Sequence, residues 1–67
     1  MEFSYDKLWK LLIDKKINKE ELRKRTGMSS TTLARMGKDE NVSLDVFGRV
    51  CKELECDIGD IIEYKKR

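Results

Sequence analysis

Four consecutive hydroxyl residues, Ser29, Ser30, Thr31 and Thr32, are followed by Arg35. On a helix, Thr31 and Arg35 lie one turn apart and share a face. Short hydroxyl side chains let a helix enter the major groove of DNA and reach base edges, and an arginine can bond both O6 and N7 of a guanine. The start of a helix also favours phosphate, because its first N–H groups have no partner within the helix. These residue types therefore suit the reading of duplex DNA. They also have a plain structural use, since Ser and Thr are ordinary helix caps.

Other chemistries find little support. Histidine is absent, which removes the commonest general base and the commonest metal ligand together. Cys51 and Cys56 are two thiols, too few for a zinc set and without a base partner for a nucleophile. No glycine-rich loop cradles a phosphate. The sequence thus predicts neither an enzyme nor a metal or cofactor site. Cys51 falls on an apolar stripe and reads as a buried free thiol, with Cys56 partly exposed. Nothing points to an oxidising compartment, so a cytoplasmic location is expected. No run of 18 apolar residues or secretory leader is visible, so no membrane partner is expected.

The elements that must position the hydroxyls can be read from spacing. Sixty-seven residues allow one small domain, 1–67. A first helix is predicted from about Ser4 to Lys16, with a stripe of Tyr5, Leu8, Trp9 and Leu12 and with Leu11 and Ile13 at its edges. Trp9 reads as core, with base stacking as the alternative. Asn18 and Glu21 form a capping pair for a second helix, Lys19 to Thr26, and Ile17 can staple against Leu22. Gly27 can take the left-handed conformation that ends it. Ser29 caps a third helix through Met36, with Met28, Leu33 and Met36 apolar and Gly37 as its end. Ser43 caps a fourth, with a buried stripe of Leu44, Phe47, Val50, Cys51 and Leu54. Asp57 caps a short fifth carrying Ile58, Ile61 and Ile62. The segment Ile61–Tyr64 also has strand character and could pair with residues 1–4.

Charge is distributed unevenly. The net charge is only +2, but residues 1–38 hold ten basic and five acidic residues, and residues 39–64 hold two basic and eight acidic. From Lys15 to Lys38 there are eight basic against two acidic residues. Lys65, Lys66 and Arg67 form a basic tail. Such asymmetry fits one face that meets a polyanion, the alternative being a solvated helix surface.

Two short helices joined at Gly27, with apolar anchors at Leu22, Met28, Leu33 and Met36, follow helix-turn-helix logic. Leu22, Thr26-Gly27-Met28-Ser29, Leu33, Met36, Val42-Ser43-Leu44, Leu54 and Asp57-Ile58-Gly59-Asp60 together resemble the Cro-like, phage-repressor-type helix-turn-helix family, also called XRE. The resemblance runs from about Tyr5 to Ile62 and is closest to the small stand-alone members. It implies an all-α, compact five-helix lambda-repressor-like fold whose third helix reads DNA. By position it implies base reading by Ser30, Thr31 and Arg35 and phosphate contacts at Lys19, Lys38, Asn41 and Ser43. The residues themselves add Ser29 and Thr32 to the base-reading set and Lys24 to the phosphate set, with Lys16 and Arg25 as further cations.

The sequence departs from the family at three places. Arg23 stands where the family commonly has alanine against the recognition helix, so it must snorkel outward or tilt the helix pair. Gly37 replaces a longer polar residue, which would shorten the recognition helix. Glutamines for adenine are missing, which leaves the target sequence open.

The expected function is sequence-specific regulation of transcription on double-stranded DNA, as a homodimer. Ile58, Ile61, Ile62 and Tyr64 are the candidate dimer surface, being more apolar than a chain end needs. The rival reading is an antitoxin-like or adaptor module that binds protein through the acidic region 39–64 and the apolar end.

Overall fold

The structure, a computed structural model, describes residues 3–65; Met1, Glu2, Lys66 and Arg67 lie outside the described residues, and with them part of the basic tail. Four α-helices follow a short strand: β1 (Phe3–Ser4), α1 (Asp6–Lys15), α2 (Lys19–Thr26), α3 (Ser30–Gly37) and α4 (Leu44–Leu54). A single 3-10 turn (Ile58–Asp60) and a second strand, β2 (Glu63–Tyr64), complete the order. The strands pair antiparallel, with Phe3 opposite Tyr64 and Ser4 opposite Glu63. Their aromatic rings meet edge-on, 5.3 Å between centroids.

This corrects the five-helix, all-α expectation. The segment after Asp57 is too short for a fifth α-helix, because the chain must extend at Glu63 to pair with β1. Asp57 and Asp60 still close a capping box, with the Asp57 N–H donating to Asp60 Oδ2 at 2.9 Å and the Asp57 side chain accepting the Asp60 N–H; Asp57 Oδ1 also accepts from the Ile58 N–H at 2.8 Å. The first helix also starts later than predicted. Ser4 belongs to β1, and its Oγ accepts the Asp6 N–H at 3.1 Å, so the helix begins only at Asp6.

Helical spacing puts one core between these elements. Leu8 and Leu12 of α1, Leu22 of α2, Met36 of α3 and Phe47, Val50 and Leu54 of α4 are buried, together with Tyr5, Met28 and Ile61. Ile17, packed against this core, follows the left-handed Lys16, and its N–H bonds the Leu12 carbonyl at 2.9 Å. That backbone bond and the accompanying apolar contact form a Schellman end. A matching bond from the Cys56 N–H to the Cys51 carbonyl, 3.0 Å, ends α4 after left-handed Glu55.

Several expected core positions differ. Leu44 is 75% exposed, because it stands in the first turn of α4, beyond the reach of the core that covers Phe47 and Val50. Trp9 and Cys51 are half-buried rather than buried. Both cysteines are free. Burial, with the adjacent Cys51 thiol, pushes the Cys56 thiol up, so its nucleophilic thiolate form is disfavoured. No helix among the described residues is long and apolar enough to cross a membrane.

Candidate nucleic-acid interface

Helix α2 begins where Asn18 Oδ1 accepts the Glu21 N–H at 2.7 Å. It ends where the Gly27 N–H bonds the Arg23 carbonyl at 3.0 Å, with Gly27 in the left-handed region (φ 73°). An L side chain there would be strained, which is why glycine holds this turn. Thr26 turns its hydroxyl back onto the Leu22 carbonyl, 2.8 Å, and so can be buried without an unpaired polar atom. Buried Met28 then anchors the turn, and Ser29 starts α3 by accepting the Thr32 N–H at 3.1 Å.

Met36 and Leu33 turn inward from α3. Ser30, Thr31, Ala34, Arg35 and Lys38 are exposed. Their spacing places them along one side of the helix. Ser29 Oγ and Thr32 Oγ1 lie 2.9 Å apart, so these two hydroxyls serve the cap. Ser30, Thr31 and Arg35 have no such engagement, and Ala34 adds a methyl group to the same side. The expectation that Gly37 ends the helix is corrected: α3 includes Gly37, and the left-handed residue is Asp39 (φ 56°). The Glu40 N–H returns to the Arg35 carbonyl at 2.9 Å, which closes the helix end without glycine.

The basic side chains fall into two groups. Arg23 turns back along α2 to Glu20, with Nε donating at 2.8 Å and Nη2 also in contact. That is how an arginine is accommodated where a small residue is usual. The pairing lowers the Glu20 carboxyl below the usual carboxylate range and raises the Arg23 guanidinium. Arg25 pairs with Glu21 at 2.5 Å and reaches Glu53 of α4 at 3.7 Å. The other six cations between residues 15 and 38, namely Lys15, Lys16, Lys19, Lys24, Arg35 and Lys38, form no ion pair among the described residues. The positive charge of this segment therefore remains available to an anion.

The phosphate candidates stand at the starts of α2 and α4, in the last turn of α2 (Lys24) and in the α3–α4 loop. Lys19 Nζ sits 4.3 Å from the centroid of the Trp9 ring, so the half-buried indole is a platform for a cation as well as a core edge. Lys24, Lys38 and Asn41 are exposed. Ser43 Oγ accepts the Val46 N–H at 3.3 Å and caps α4.

In the sequence, Tyr5 stands out only as part of an apolar stripe. The structure gives it a polar task. Its phenol donates to the Glu40 carbonyl at 2.7 Å, and its N–H donates to Asp39 Oδ1 at 3.1 Å. Both partners lie 34 or 35 positions away in the chain, so no local spacing signals them. Burial, with Asp39 nearby, raises the phenol above its ordinary value and keeps it a donor.

The dimer candidates are divided by burial. Ile61 is fully buried in the core, which removes it from any surface a second copy could touch. Ile58 and Tyr64 are exposed and Ile62 is half-buried. Ile58 and Ile62 line an apolar groove of about 230 Å³ with Phe3 and Leu44.

Residues 7–67 match the family model of the Cro/C1-type HTH DNA-binding domain. Among curated proteins, the chain is similar to the uncharacterized HTH-type transcriptional regulator YozG of Bacillus subtilis (strain 168). The two are 35% identical over 57 residues, covering 82% of this chain and 68% of that protein. Among solved structures, the chain is similar to the crystal structure of the transcriptional regulator VanUg, Form II, with a TM-score of 0.95 and 53% identity over 98% of this chain and 88% of that one.

Proposed function

We propose a function from one premise: the chain belongs to the Cro/C1-type helix-turn-helix DNA-binding domain family. It is a DNA-binding transcriptional regulator. The finer reading is that α3 enters the major groove and makes binding sequence-specific. The observation that carries this is the exposed side of α3, where the side chains of Ser30, Thr31, Ala34 and Arg35 stand together with no hydrogen-bond or ion-pair partner among the described residues while Ser29 and Thr32 hold the helix start.

We assign base contacts to Ser30, Thr31 and Arg35, with Arg35 suited to a guanine. Lys19, Lys24, Lys38, Asn41 and Ser43 are assigned to phosphates. Ser43 heads α4, whose free N–H groups favour an anion. A cytoplasmic location follows from a DNA target. The antitoxin-like or adaptor reading is not favoured by the family match. Binding as a homodimer belongs to this proposal, because one small recognition helix makes few base contacts and two half-sites multiply them.

Two substitutions test the assignment on duplexes enriched from a random pool and on random duplexes. Arg35→Ala is expected to cost about 1–3 kcal/mol on the enriched site and to relax specificity. Lys38→Ala is expected to weaken both kinds of duplex alike and reduce the salt slope by about one unit. Equal loss on both duplexes for Arg35→Ala removes Arg35 from the base-reading set.

A further inference from the structure

Between the recognition helix and α4 lies a loop that holds three of the proposed phosphate contacts, Lys38, Asn41 and Ser43. Its residue types do not make it rigid. It contains no proline, and its left-handed residue, Asp39, is not glycine. It is held on one side by the end of α3 and on the other by Tyr5, near the opposite end of the chain. The Glu40 peptide is bonded on both sides: its N–H to the Arg35 carbonyl at the end of α3, 2.9 Å, and its carbonyl to the Tyr5 hydroxyl, 2.7 Å. Asp39 is held by two bonds as well, its N–H on the Met36 carbonyl at 3.2 Å and its Oδ1 on the Tyr5 N–H at 3.1 Å. Tyr5 is fully buried and its ring packs 5.9 Å from that of Phe47 in α4. One residue, through its backbone N–H and its side chain, therefore ties the loop and α4 to the strand-bearing terminus.

We infer that Tyr5 is a positioning residue for DNA binding, fixing the α3–α4 loop so that Lys38, Asn41 and Ser43 meet the phosphate backbone in register with the bases read by α3. The inference rests on the DNA reading above. The buried phenol touches no DNA itself. The phenol's bond to the Glu40 carbonyl, with that of the Tyr5 backbone N–H to Asp39, spares the protein the entropy of ordering the loop when DNA arrives, a cost that otherwise falls on binding. Phosphate contacts are what set register on a duplex, so loosening them lowers affinity without changing which bases are preferred.

The test is Tyr5→Phe, which keeps the ring and its packing and removes only the hydroxyl. Affinity for an enriched duplex and for a random duplex of equal length is measured over a series of salt concentrations, with thermal melting in parallel. The expected result is a loss of about threefold to tenfold on both duplexes, the size of one hydrogen bond. The salt slope should fall by about one unit, as for the release of one fewer phosphate contact. A second variant, Asp39→Asn, keeps an acceptor for the Tyr5 N–H and should retain the wild-type slope. A slope unchanged in Tyr5→Phe overturns the inference, since a hydroxyl that only stabilises the fold lowers the melting temperature and leaves the number of phosphate contacts alone. If the wild-type chain itself shows no salt-dependent binding to duplex DNA, the DNA reading falls, and this inference falls with it.

Discussion

Tyr5 is also where pH should act on the fold. Burial raises its phenol above the ordinary value of 10.0, so folding favours the protonated form. The stability this contributes is fully present below pH 10 and is lost as the pH rises through the higher folded value. Deprotonation would also take the donor from the Glu40 carbonyl. Wild-type protein should therefore lose melting temperature above about pH 10 more steeply than Tyr5→Phe. Parallel alkaline melting curves for the two chains would refute this. Trp9 makes a second case at the same scale. Its ring supports Lys19, and a cation over an aromatic face is worth about 0.5–1 kcal/mol at an exposed site. Trp9→Leu keeps an apolar side chain and should weaken enriched and random duplexes alike by roughly that amount. A change confined to the enriched duplex would mean that Trp9 reads sequence, not charge.

At the scale of the element, α2 and α3 are eight residues each and could not persist alone. Their ends matter accordingly. Ser29→Ala removes the acceptor for the Thr32 N–H and should cost about 1 kcal/mol, a fall in melting temperature of roughly 4–8 °C for a domain this small. An unchanged melting temperature would show that the cap contributes nothing, and would return both hydroxyls to DNA. These caps were legible in the sequence because they are local: Asn18 with Glu21, Ser29 with Thr32 and Ser43 with Val46 are each three residues apart. The Gly27 turn was legible for the same reason. Left-handed ends at Lys16 and Glu55 were not, because they lie on residues with no preference that announces them, and Asp39 is left-handed two residues after the glycine expected to end α3. Nor was the shortening of the last helix to one 3-10 turn, which depends on pairing between Phe3–Ser4 and Glu63–Tyr64 across nearly the whole chain. Within the candidate site, the exposed side of α3 follows from its period, whereas Tyr5 on Glu40 and Trp9 under Lys19 depend on how α1 packs.

At the scale of the whole molecule, the described residues measure 33 × 24 × 18 Å. One turn of DNA rises about 34 Å, so two copies set side by side on one face of a duplex can present their α3 helices to successive major grooves. The apolar side chains left outside the core lie largely toward the paired termini: Phe3, Ile58, Tyr64 and, next to them in the groove, Leu44. A surface of that kind suits a second copy, and Ile61 cannot contribute to it because it is already enclosed. Ile58→Glu should therefore leave the monomer folded, since the side chain is exposed, while shifting the chain from dimer to monomer in sedimentation. On DNA, the wild type should enrich a two-fold symmetric site with half-sites about 10 base pairs apart, and Ile58→Glu should bind such a site no better than a single half-site. If sedimentation and half-site binding are the same for both chains, Ile58 lies outside the dimer surface. A wild type that is monomeric at every concentration and enriches only an asymmetric site would instead mean that one copy, with one reading helix and the six cations of residues 15–38 that form no ion pair among the described residues, is the whole binding unit.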